Sequence, residues 1–85
     1  MKVVLHKHFK KNYKKFQAIQ NKIDERLVLF MKDPFNPILN NHALSGEHAG
    51  RRSINITGDY RAIYTLLNPS LAQFIEVDTH SNLYK

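Results

Sequence analysis

Residues able to move protons or hold a phosphate gather in the second half of the chain. His80 follows an apolar run, in Asp78-Thr79-His80-Ser81. An imidazole gives or takes a proton near neutral pH. Asp59 and Arg61 flank Tyr60 in Gly58-Asp59-Tyr60-Arg61. A carboxylate there can accept a proton or orient a histidine. A guanidinium can hold a phosphate through two parallel hydrogen bonds and stabilise charge as it builds. Arg51 and Arg52 read as phosphate-backbone contacts or solvated edge charges. Tyr60 and Tyr84 are rings that can stack on bases, whereas Tyr64 suits a core. Plainer readings stand beside these. Gly-Asp is a common turn dipeptide, and a histidine just past a strand is more often a surface residue.

Several chemistries are set aside by what the chain lacks. It has five histidines and no cysteine. The spacings His6-x-His8 and His42-x5-His48 match no standard zinc pattern, and no HExxH occurs. There is no P-loop, GxGxxG or GxSxG. No metal and no cofactor is expected. What remains is metal-free acid–base work on a phosphodiester, or binding without chemistry.

The elements that must position these residues can be read in outline. Arg51 to Leu67 predicts a β-hairpin, with Ile54, Ile56, Tyr60, Ile63 and Tyr64 on pleated strands. A two-residue Gly58-Asp59 turn of type II′ would join them. That turn sets Ile56 opposite Arg61 and puts Arg61 on the Ile-rich face. A longer turn or a bulge would re-pair the strands and release it.

Val3-Val4-Leu5 predicts a first strand and Leu71 to Val77 a last one. Between them, Phe9, Tyr13, Phe16, Ile23, Leu27 and Phe30 form a helical stripe over about 8–32. One helix of about 25 residues would run some 37 Å, too long for so small a domain, so two helices with a break near Phe16–Ile19 are predicted. Asp33-Pro34 and Asn36-Pro37 end the second. Ile38 to Gly50, with His42 and His48, is a connecting stretch of the kind that carries function. The fold class is therefore α+β in the order β-α-α-β-β-β: one domain over 1–85, an antiparallel-rich sheet with a two-helix layer on one face and the other face open.

Composition narrows the partners. The chain has 85 residues, 42% hydrophobic content and a formal net charge of +6. Seven lysines, from Lys2 to Lys22, precede the first acid, Asp24. Such a balance favours an anionic partner, nucleic acid or acidic protein, and equally keeps a small domain soluble. No apolar run approaches the roughly 20 residues a bilayer span needs. The start MKVVLHKHFKK has no signal-peptide core. A cytoplasmic protein without membrane contact is expected.

Four segments together resemble a known family. They are His42-Ala-Leu-Ser-Gly46, Gly50-Arg51-Arg52-Ser53-Ile54, Asp59-Tyr60-Arg61-Ala62-Ile63-Tyr64 and Thr79-His80-Ser81-Asn82-Leu83-Tyr84. They are similar to RelE/ParE-superfamily toxins of bacterial toxin–antitoxin pairs, and most to the YafQ-like mRNA interferases. The resemblance implies a ribosome-dependent endoribonuclease that cuts mRNA through the ribose 2′-OH without a metal. It implies His42 or Asp59 as base, His80 as general acid, Arg61 as the phosphate-binding cation and Tyr84 as an aid to positioning. Arg51, Arg52, Tyr60 and His48 are then expected to contact RNA. A cognate antitoxin is implied, with operator DNA reached only through it. Asn55 stands where that branch can have a further histidine, and Glu76 where some relatives have a basic residue. Two other functions compete: a ParE-like toxin acting on gyrase, and a basic RNA-binding module without enzymatic activity.

Overall fold

Lys2–Leu5 alternates exposed and half-buried residues, as a strand with one covered face must. The computed structural model describes residues 1–84. It contains β1 (Lys2–Leu5), α1 (Lys7–Lys15), α2 (Gln20–Lys32), β2 (His42–Ala43), β3 (Arg52–Asn55), β4 (Tyr60–Asn68), β5 (Leu71–Thr79) and α3 (His80–Leu83). Short 3-10 turns lie at Gln17–Ile19, Pro37–Leu39 and Gly46–His48. The sheet runs β1-β5-β4-β3-β2. β1 is parallel to β5, and the other neighbours are antiparallel.

The α+β class and the helical pair are as expected. α1 ends at Lys15, and Phe16 leaves the helix at φ −94°, ψ 59°. Its ring then meets Tyr60 edge-on, with centroids 5.1 Å apart. The domain measures 31 × 28 × 26 Å, so an unbroken helix over 8–32 would overrun it. α2 stops before Asp33-Pro34, where the sequence places its end.

Two short elements escape the sequence reading. β2 has two residues and α3 four, too few to show a period. β2 exists because His42 and Ala43 pair with Ser53 and Arg52. α3 begins at Thr79, whose Oγ1 accepts from the Asn82 amide at 3.2 Å.

The two-residue turn is overturned. Gly58 does not have the positive φ that a type II′ turn demands. The Ile56 and Thr57 amides both donate to the Tyr60 carbonyl, and Thr57 Oγ1 accepts from the Asp59 and Tyr60 amides at 3.2 and 3.1 Å. Asn55 therefore opposes Arg61, and Ile54 opposes Ala62.

That register sorts the sheet. Asn55, Arg61 and Asp78 form one cross-strand row, and His42, Ser53, Ile63 and Glu76 the next, all on the face away from α1 and α2. Ile54, Ala62 and Val77 point the other way, into the core. Pairing skips Ile75, so Phe74 and Val77 both face the helices although three residues apart. Phe74 lies at the centre of that core, with ring centroids 5.9 Å from Phe9, 5.1 Å from Phe30 and 5.1 Å from Tyr64. Beyond β1 the outer edge of β5 is closed by α1, where Asn12 Nδ2 donates to the Val77 carbonyl at 3.1 Å.

Candidate functional site

Asn40 takes the left-handed conformation, φ 46°, which asparagine tolerates better than most residues. This turns its carbonyl toward the ring of His42, and His42 Nδ1 donates to it at 2.8 Å. A carbonyl only accepts, so Nδ1 carries a proton, and in the neutral ring Nε2 keeps its lone pair. His42 is exposed at the start of β2. The local backbone thus presents an imidazole with one nitrogen ready to accept a proton.

Arg61 projects from β4 on the same face. Its Nη1 lies 2.9 Å from the Thr57 carbonyl, 3.0 Å from that of Gly58 and 3.0 Å from that of Tyr60. The guanidinium is thereby bent onto the turn. Nε and Nη2 make no hydrogen bond among the described residues, which leaves donors for an anion. Arg61 is not on the Ile-rich face, because the turn is longer than two residues.

α3 brings in the remaining groups. The His80 amide donates to the Asp59 carbonyl at 2.8 Å, which pins the start of the helix to the hairpin turn. The rings of His80 and Tyr84 are tilted with centroids 4.7 Å apart. His42, Arg61, His80 and Tyr84 then line one open cleft of about 480 Å³, with Asn40, Ala43, Leu44 and Ser45. An acceptor imidazole, a cation with spare donors and a second imidazole can together deprotonate a hydroxyl, hold a phosphate and protonate a leaving group. The Tyr84 hydroxyl is buried and has no partner among the described residues.

The other predicted residues fall elsewhere. Asp59 is exposed in the turn and does not line the cleft; its contribution here is the backbone carbonyl. Tyr60 packs against Phe16 and the core on the helix side, so its ring is not offered to a base in the cleft. Arg52 also faces the helices. Its Nε donates to Asn41 Oδ1 at 2.8 Å, and its guanidinium lies 5.4 Å from the Phe35 ring centroid. His48 is half-buried with Nε2 on the Leu83 carbonyl at 3.0 Å and Nδ1 buried, so neither nitrogen is open to a phosphate. Arg51 stays partly exposed, just before β3.

The two departures from the family pattern take definite places. Asn55 opposes Arg61 but lines a separate recess of about 410 Å³ with Lys22, Arg26 and Ile38. Glu76 shares the row of His42 and lies 3.6 Å from His8 Nε2. No group of three or more metal-ligating side chains occurs among the described residues. No helix among them is long and apolar enough to cross a membrane. Sequence reasoning missed Asn40 and Ser45. The only signal for Asn40 was the readiness of asparagine to turn left-handed after Pro37.

Comparison with known proteins bears on the family and the fold. The family model described as the bacterial toxin of a type II toxin–antitoxin system, YafQ, matches residues 1–85. Among solved structures, YafQ from Escherichia coli strain BL21(DE3) superposes with a TM-score of 0.83 at 23% identity, covering 98% of this chain and 97% of that one. A YoeB/ParE toxin from Agrobacterium tumefaciens gives 0.77 at 24% identity, covering 94% and 99%. The E. coli DinJ–YafQ complex gives 0.80 at 23% identity, covering 98% and 97%. The curated proteins give no match.

Proposed function

Since the chain belongs to the YafQ family of toxins from type II toxin–antitoxin systems, we propose that it is an endoribonuclease that cuts mRNA on the ribosome. The observation that carries this is the meeting of His42, Arg61, His80 and Tyr84 in one cleft. His42 Nε2 takes the proton of a ribose 2′-OH. The 2′-oxygen attacks the adjacent phosphorus, and a P–O2′ bond forms as the P–O5′ bond breaks. His80 gives a proton to the departing 5′-oxygen. The products are a 2′,3′-cyclic phosphate and a free 5′-OH. Arg61 holds the phosphate and stabilises the charge that builds on it. Tyr84 fixes the ring of His80 and packs against the nucleotide. Of the two bases considered, His42 is preferred because its tautomer leaves a lone pair in the cleft, whereas the Asp59 side chain lies outside it.

Arg51 and the exposed lysines of α1 are further cations that RNA phosphates can meet. A cognate antitoxin is the expected protein partner, by analogy with solved complexes such as DinJ–YafQ and YoeB–YefM. Operator DNA would be reached only through it.

The test uses purified protein, ribosomes and a defined mRNA. Cuts bearing 2′,3′-cyclic phosphate and 5′-OH ends are expected, with His80→Ala slower by roughly 10²–10⁴-fold. If His80→Ala and Arg61→Ala cut as the parent does, the assignment is wrong. Inhibition of gyrase supercoiling without RNA cuts would favour the competing toxin class.

A further inference from the structure

α3 and the Tyr84 that caps its end carry two of the four cleft groups, yet the helix contains no buried residue. Four residues cannot hold a helix by themselves. Its own bonds are local: Thr79 and Asp78 cap Asn82, and the Tyr84 amide donates to the His80 carbonyl at 3.2 Å. Its start is pinned by Asp59. Its far end is held by a residue 35 positions earlier, where His48 Nε2 donates to the Leu83 carbonyl at 3.0 Å.

We infer that His48 is a positioning residue, whose hydrogen bond to Leu83 sets the aim of His80 and Tyr84 into the cleft. The inference rests on the nuclease reading for its catalytic consequence and on geometry alone for the tether. The bond fixes the tautomer, since Leu83 can only accept and Nε2 must carry the proton. The His48 ring also meets Tyr84 edge-on at 5.8 Å, and Tyr84 in turn meets His80 at 4.7 Å. A direct line of contact therefore runs from residue 48 to the proposed acid.

The loop bearing His48 is itself well held. The His48 amide donates to the Ser45 carbonyl at 3.3 Å, the Arg51 amide to the His48 carbonyl at 3.0 Å, and the Leu44 amide to the Arg51 carbonyl at 2.9 Å. Leu44 and Ser45 of the same loop line the cleft. One wall of the cleft thus anchors the other, and His48 is the bolt between them.

Three variants separate the possible roles. His48→Gln keeps an N–H donor at similar reach. His48→Phe keeps a ring without a donor, and His48→Ala removes both. Amide hydrogen exchange is read by NMR on the full chain, and turnover on mRNA-programmed ribosomes. In the Ala and Phe variants the Asn82 and Tyr84 amides should exchange about tenfold faster, the effect of losing one hydrogen bond, while strand amides keep their parent rates. The Gln variant should exchange as the parent. Turnover should fall in Ala and Phe by up to about a hundredfold with KM little changed, and recover in Gln, because misaimed groups slow chemistry more than binding. Unchanged exchange in His48→Ala, or parent-like exchange in His48→Phe, would overturn the tether. Faster exchange with parent turnover would overturn the positioning role. If the parent cuts no RNA, the nuclease reading falls while exchange still decides the tether.

Discussion

The backbone amide of His80 donates to the backbone carbonyl of Asp59 at 2.8 Å. This bond joins the end of β5 to the turn between β3 and β4. His80 is therefore tied to the turn that clamps Arg61, and both line the cleft. Asp59 serves this corner through its main chain, and its side chain does not line the cleft.

That distinction separates the two candidate bases. His42→Ala should slow mRNA cleavage by roughly 10²–10⁴-fold. Asp59→Asn keeps the backbone bond and should cost less than about tenfold. Single-turnover rates on programmed ribosomes decide it, and a larger loss in Asp59→Asn would move the base to the turn.

Arg61 holds the hairpin turn and, on the proposed nuclease reading, also the phosphate, and the two can be read separately. Arg61→Ala should reduce cleavage by roughly 10²–10³-fold through loss of phosphate stabilisation. It should also lower stability by about 1 kcal/mol, because the carbonyls of Thr57, Gly58 and Tyr60 lose their shared donor. Arg61→Lys keeps the charge but not the planar fork, so it should not serve turn and phosphate together. Urea unfolding and cleavage rates on the same preparations are the measurements.

Ser53 is fully buried and its Oγ has no partner among the described residues. Burying a hydroxyl without a hydrogen bond is unfavourable. Ser53→Ala should leave stability unchanged or raise it by up to about 1 kcal/mol in urea titrations. A clear loss would reveal a hydrogen bond that this packing does not account for.

Tyr13 links the two long helices, its hydroxyl donating to Asp24 Oδ1 at 2.8 Å. That hydrogen bond, then desolvation, then the Asp24 charge raise the phenol above its ordinary value of 10.0. The folded state thus holds this proton more tightly than the unfolded one. The contribution is complete below the unfolded value and disappears as pH rises through the folded one. Between about pH 9 and 11 the parent should lose more stability than Tyr13→Phe, which lacks the titrating group. Equal losses would mean that the link adds nothing.

The sequence made some of this legible and not the rest, for physical reasons. The helical stripe from Phe9 to Phe30 was readable because periodicity reports burial directly, and a break near Phe16–Ile19 because one helix of that length would overrun so small a domain. The place of Arg61 was not, because it depends on turn length. Here Thr57 Oγ1 stabilises a longer loop than Gly58-Asp59 suggests. Tyr60 and Arg52 look like ligand contacts by residue type, but strand parity turns both toward the helices. His42 was visible only as a motif residue. Its tautomer depends on the left-handed turn at Asn40, which only the folded backbone displays.

β1 pairs with β5, and the closing helix follows β5 directly. Synthesis delivers the strands in the opposite sense to the one assembly needs: the opening segment must wait for residues 71–84 before it has a neighbour. A nascent chain stalled before that point has neither a finished sheet nor two of the four cleft side chains. Timing is thus built into the topology, and the sheet and the cleft are complete only after residues 71–84 have left the ribosome that makes the chain.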